Sequence, residues 1–144
     1  MTFLRHNLDY MVFGILGLMS FLMLWFVIER YFYYARVKVE KFNHADNLNV
    51  ALTNNLTIIS SIGANAPYIG LLGTVIGIML TFYDMGQGGK VDVNTIMTGL
   101  SLALKATAAG LVVAIPAIMF YNALLRKVDV INARWRVHQD RKTA

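Results

Sequence analysis

Cysteine is absent from this 144-residue chain, which excludes disulfides, thiolate nucleophiles and thiolate metal sites. Proline occurs twice, at Pro67 and Pro116. Carboxylates are missing from three long apolar runs, roughly Tyr10–Ile28, Ile62–Phe82 and Leu100–Leu125, and Lys105 is the one charged residue within them. If ions cross a membrane here, the chain brings no acid of its own to carry them. His6, His44 and His138 are far apart, and no metal spacing, nucleophile triad or phosphate loop occurs. Gly86-x-Gly88-Gly89 follows no strand and reads as a turn, not a nucleotide cradle. Covalent catalysis is rejected: the chain is not an enzyme and needs no cofactor or metal.

What is present is hydrocarbon. The chain is 57% hydrophobic with a mean hydropathy of +0.54, gathered in long blocks instead of short periodic runs. Each block matches the ~20 residues a helix needs to cross a bilayer. The reading is an all-α membrane protein of one domain, with three transmembrane helices and phospholipid as their solvent. The first run is too long for a cleaved leader and no small-x-small site precedes Glu29-Arg30, so it reads as an uncleaved signal anchor.

The net charge of +5 is unevenly spread. Arg30, Arg36, Lys38 and Lys41 follow the first run, and Arg126, Lys127, Arg134, Arg136, Arg141 and Lys142 follow the third. Arg5 and Lys90 are the cations on the other side. This positive-inside asymmetry predicts N-out, C-in topology. Residues 1–9 and 83–99 then lie outside, which the resemblance given below makes periplasmic, and 29–61 and 126–144 are cytoplasmic. The same asymmetry argues against nucleic acid as the partner of the basic residues.

Span one is bulky throughout, from Phe13 to Phe26, as suits a lipid-facing helix; Tyr10 marks one interface and Trp25 to Tyr34 the other. The segment Arg30–Ser61 is polar but unbroken by proline or glycine. Ala45, Leu48, Leu52, Asn55 and Ile59 mark one face of a helix in it. Leu124, Val128, Ile131, Trp135 and His138 form a heptad-like stripe in the tail. Both segments therefore read as cytoplasmic helical extensions that pack on neighbours, the alternative for the first being a helix lying on the membrane. The segment holding Asp84, Gly86, Gly88, Gly89, Asp92 and Asn94 reads as a turn-rich hairpin loop.

Spans two and three carry small residues where bulk would be expected. Gly70, Gly73 and Gly77 share a face, bordered by Thr74 and Thr81. Ala103, Thr107, Gly110, Ala114 and Ala117 step by four, three, four and three. Pro67 falls in the first turn of its span, where a missing N–H does no harm, and Pro116 should kink span three and free a carbonyl. Thr74 lies ~12 Å from the outer boundary and Thr107 ~10 Å, so an antiparallel pair puts two hydroxyls at similar depth. They are either back-bonded packing residues or a water-lined wall that hands protons to a nearby acid. Lys105 points about 200° around the helix from Thr107, where it can snorkel outward or pair with Asp84 or a neighbour's acid.

The stretch Ala66-Pro67-Tyr68-Ile69-Gly70-Leu71-Leu72-Gly73-Thr74-Val75-Ile76-Gly77-Ile78-Met79 resembles the second-helix signature of the ExbB/TolQ/MotA proton-channel family. Ala106-Thr107-Ala108-Ala109-Gly110-Leu111-Val112-Val113-Ala114-Ile115-Pro116-Ala117, with Tyr121-Asn122, resembles its third-helix signature. The resemblance implies a homo-oligomer, a pentamer in the inner membrane, around single-span helices of an ExbD-like partner that supplies a membrane aspartate. It implies proton flow that energises a TonB-like protein and, through it, outer-membrane uptake. Thr74 and Thr107 match the family's path-lining threonines, and Gly70, Gly73, Gly77, Thr81, Ala103, Gly110, Ala114 and Pro116 take packing or pore-facing roles. One departure stands out: many ExbB and TolQ proteins carry a glutamate where this chain has Leu102. The short chain and small cytoplasmic loop favour the ExbB branch over TolQ-type envelope maintenance. A scaffold without ion conduction is the competing reading, and a solute transporter a more distant one.

Overall fold

The computed structural model describes residues 2–88 and 92–144. Four α-helices follow one another: α1 (Thr2–Arg36), α2 (Ala45–Thr53), α3 (Leu56–Gly88) and α4 (Val93–Thr143), with a single 3-10 turn at Val39–Lys41. Helices α1, α3 and α4 are each long and apolar enough to cross a membrane. At ~1.5 Å per residue, the 51 residues of α4 extend about 76 Å, far more than a ~30 Å hydrocarbon layer requires.

The three helices meet through narrow stripes. On α1 the buried residues are Val12, Leu16, Met23, Arg30 and Tyr34, spaced by four and seven. Beside this stripe Leu8, Met19, Leu22, Phe26 and Val27 are half-buried, while Phe13, Leu18, Phe21 and Trp25 are exposed. The bulky helix thus leaves these large side chains uncovered by its own chain, while one stripe packs on α3 and α4. Those two form an antiparallel hairpin buried along Ala66, Gly70, Gly73 and Thr74 on one side and Ala103, Ala106, Gly110 and Ala114 on the other. In lipid there is no hydrophobic gain from helix association, so close backbone packing has to hold such a pair.

At the basic end of the bundle the packing changes character. Leu48, Leu52 and Ile59 are fully enclosed, against the α4 stripe Leu124, Val128 and Ile131. Burying each such side chain from water stabilises by ~1.5–3 kcal/mol. The tail stripe expected from the heptad spacing thus packs within its own chain. Trp135 continues it, donating Nε1–H to the Phe42 carbonyl at 2.9 Å.

Three expectations need correction. The segment Arg30–Ser61 is broken, because α1 stops at Arg36, α2 is nine residues long, and Asn55 at φ 65° turns the chain into α3. Asparagine tolerates that left-handed backbone, so no glycine was needed to mark the turn. Pro67 is not in a first turn: α3 begins at Leu56, because Leu56, Ile59 and Ile62 extend the buried stripe upstream. Pro67 therefore removes an interior backbone hydrogen bond and leaves the Gly63 carbonyl without its usual donor. Asp84, Gly86 and Gly88 are helical, not loop, since α3 runs to Gly88. The expectations for Gly89 and Lys90 fall outside the described residues.

Asp92 starts α4. Its carboxylate accepts from the Thr95 hydroxyl at 2.9 Å and the Asn94 N–H at 3.1 Å. These bonds, Thr95 foremost, hold the Asp92 carboxyl below the usual carboxylate range. At Pro116 α4 continues as one helix.

Candidate functional site: a hydroxyl pair in a glycine seam

Helix α3 supplies Thr74 and helix α4 supplies Thr107, and their hydroxyl oxygens lie 2.5 Å apart. Thr74 Oγ1 is also 2.8 Å from the Ala103 carbonyl and 3.3 Å from the Gly70 carbonyl. A threonine has one hydroxyl proton and two lone pairs. With the Thr74 proton on the Ala103 carbonyl, the Thr107 hydroxyl is left to donate to Thr74 Oγ1. Thr74 is 7% exposed and Thr107 half-buried, so the chain of bonds begins near the surface and ends inside the helix pair. The outer lone pairs of Thr107 remain able to accept a proton donor.

The seam around the pair is set by glycine. A Cβ on Gly70 would lie 2.5 Å from the Ala106 carbonyl oxygen and 3.1 Å from Thr107 Cα. One on Gly110 would lie 2.6 Å from the Ala66 carbonyl oxygen. Both obstacles are backbone, which cannot swing aside. Gly73 lets α1 join, since a Cβ there would meet Ala106 Cβ at 2.9 Å and Val12 at 3.1 Å. Gly77 faces Ala103 in the same way, at 3.0 Å. Further along, Thr81 donates to the Gly77 carbonyl at 2.9 Å and packs against Gly99.

No grouping of His, Asp and Glu that could hold a metal ion occurs among the described residues. Two facing hydroxyls can accept, donate and orient, but cannot hold a charge at neutral pH. A site of this kind acts on a charge that another group brings to it.

Residues 34–137 match a family model described as the MotA/TolQ/ExbB proton channel family. The chain belongs to the MotA/TolQ/ExbB proton channel family. It is therefore a transport protein and not an enzyme. The chain is 56% identical over 137 residues to the biopolymer transport protein ExbB of Helicobacter pylori strain J99, covering 95% of this chain and 94% of that one. It is 51% identical over 125 residues to the biopolymer transport protein ExbB of Aquifex aeolicus, covering 87% of this chain and 84% of the other.

Of the residues singled out in this MotA/TolQ/ExbB chain from sequence, the structure brings together Thr74, Thr107, Gly70, Gly73, Gly77, Ala103 and Gly110 around one seam. Ala114 is buried on the same side of α4, and Pro116 is half-buried two residues beyond. Lys105 is exposed and stands apart from the pair. Leu102 is half-buried.

A second polar cluster was not anticipated. Arg30, counted above only as a topology signal, is 3% exposed. Its Nη1 donates to the Ala51 carbonyl at 2.9 Å, and the Tyr34 hydroxyl donates to the Leu52 carbonyl at 2.6 Å. Both carbonyls lie in the last turn of α2, where intrahelical donors run out and a cation meets the negative end of the helix dipole. Glu29 accepts from Arg30 Nε and Nη2, and Asn55 Nδ2 donates to it at 3.4 Å. The adjacent Glu29-Arg30 pair at the end of an apolar run was the available signal.

Proposed function

We propose that the chain is an inner-membrane proton-channel subunit, N-out and C-in, that forms a pentameric ring around an ExbD-like single-span partner and energises TonB-dependent outer-membrane uptake. The observation that carries this reading is the 2.5 Å hydroxyl pair in a carboxylate-free seam, in a chain of a proton-channel family. A channel wall without an acid needs an acid from elsewhere, and the partner's membrane aspartate meets that need. The protonated aspartate donates to the open lone pairs of Thr107; when the aspartate is ionised, the Thr107 hydroxyl proton turns from Thr74 Oγ1 to the carboxylate. The names of the relatives support the ExbB pathway over the TolQ one.

The scaffold reading is favoured by one observation, the 2.8 Å bond from Thr74 to the Ala103 carbonyl, which ties two helices together without any ion. The two readings separate on Thr107, which does not make that bond. The complex of the full chain with its partner is reconstituted in vesicles and proton entry is followed with a pH-sensitive dye. Thr107→Val abolishes partner-dependent flux with the assembly mass unchanged, and Thr107→Ser retains it. Undiminished flux in Thr107→Val would overturn the assignment and leave the scaffold.

A further inference from the structure

At the basic end of the bundle a groove of about 560 Å³ opens between α1 and α4. Its walls are hydrocarbon, from Val27, Ile28 and Phe32 on one helix and Phe120 and Leu124 on the other. Tyr31 and Lys127 border one end, with the Lys127 ammonium 4.1 Å from the centre of the Tyr31 ring. The same two residues line a second groove of about 270 Å³, which leads along the α4 extension. There the walls turn cationic, with Arg126, Lys127 and Arg134 along one side. A continuous track thus passes from hydrocarbon to three cations, with Leu124 and Arg134 separated by ~15 Å of helix rise.

We propose that this track holds one anionic phospholipid of the cytoplasmic leaflet. An acyl chain lies between Ile28, Phe32 and Phe120, and the phosphodiester sits beside Lys127, Arg126 and Arg134. Depth supports this, because the apolar runs of α1 and α4 end at Ile28 and Leu125, the level where headgroups begin. Charge supports it as well. In residues 29–61 and 126–144, ten Lys and Arg stand against five Asp and Glu. A second copy of the chain seated in the track would bring like charge to like charge, whereas a phosphodiester neutralises it. The volume also falls within the range of pockets that enclose small ligands, ~300–1,000 Å³. The leaflet named here rests on the orientation proposed above; the pairing of an apolar groove with a basic rim does not.

The full chain with its partner is placed in nanodiscs of equal phosphatidylcholine and phosphatidylglycerol, released gently, and the retained lipid is counted by native mass spectrometry. The wild type retains phosphatidylglycerol in preference. Arg126→Gln with Lys127→Gln lowers that retention about fivefold per charge removed and leaves phosphatidylcholine unchanged. Ala123 lies in the wall between Phe120 and Leu124, so Ala123→Trp fills the groove and removes both lipids, and if it fails to assemble, the charge variants alone decide. Equal retention of the two lipids by the wild type, or an unchanged preference in the double glutamine variant, would overturn the proposal. So would quantitative photocross-linking to another copy of the chain from a photoreactive residue placed at Ile28, which assigns the groove to a second subunit. Lipid counting needs no ion flux, so its failure is distinct from failure of the channel reading.

Discussion

Thr107 stands 2.5 Å from Thr74 across the α3–α4 seam, and its hydroxyl is the half-buried one. The two threonines are therefore unequal. Removing the Thr107 hydroxyl leaves the Thr74 bond to Ala103 in place and takes away the outward-facing oxygen. Removing the Thr74 hydroxyl leaves Thr107 without its acceptor and the Ala103 carbonyl without its second donor. Loss of a partner for a buried polar group costs ~1–3 kcal/mol. Thr74→Val should lower the thermal stability of the solubilised complex by that amount, while Thr107→Val should lower it less. Midpoints from a calibrated unfolding assay check the order, and equal losses would contradict the asymmetry.

The glycines should fall into two groups on alanine substitution. At Gly70 and Gly110 a Cβ meets backbone oxygen at 2.5 and 2.6 Å, so the helices must separate. A cost of ~1–3 kcal/mol follows, as in overpacked cores, with weakened assembly. Gly14 and Gly86 have nothing within 4 Å of a Cβ. Alanine there should be neutral or stabilising by ~0.5–1 kcal/mol through its better helix propensity. Detergent-resistance titrations of the four variants separate the groups.

Helix α2 is nine residues long, too short to persist without tertiary support, and Arg30 and Tyr34 hold its last turn. Tyr34→Phe deletes one hydrogen bond and should cost ~1 kcal/mol. Arg30→Met deletes the Ala51 contact and also the two bonds that Arg30 donates to Glu29, so it should cost more. Amide exchange at residues 48–53 should accelerate in both variants, and more in Arg30→Met, while exchange at the α3–α4 seam stays unchanged.

Protonation of Asp92 should loosen the start of α4. The folded carboxyl titrates below its unfolded value, so its stabilising contribution is present above the unfolded pKa and is lost as pH falls through the folded one. Amide protection of Asn94 and Thr95 should therefore decline in acid. Asp92→Asn keeps an accepting oxygen and removes the titration, so protection in that variant should be flat over the same pH range.

Spacing made the seam legible before any coordinates. Small residues at helical steps on two runs can meet only if the runs pair, and hydroxyl depth followed from counting residues to the ends. The basic end was harder to read. Its stripe of Leu48, Leu52 and Ile59 was visible, but the break at Asn55 was not, because asparagine in a left-handed turn looks like any polar helix residue. Pro67 misled for a related reason: proline often opens a helix, and here the buried stripe upstream outweighs the lost hydrogen bond. The burial of Arg30 was hidden because a cation beside a membrane run is ordinarily a topology signal. Nothing in its own position says that a helix end will come to meet it.

Helix α4 carries Thr107 and Trp135 on one uninterrupted rod, 28 residues and ~42 Å apart. A rod has gain. A tilt of about 5° with its fulcrum at the hydroxyl pair sweeps the Trp135 end through ~4 Å, a displacement comparable to one turn of helix. A small tilt at the seam would thus reach the far end of α4 enlarged as long as the rod stays stiff, and Pro116, where one backbone bond is missing between the two residues, is where bending would spend that gain.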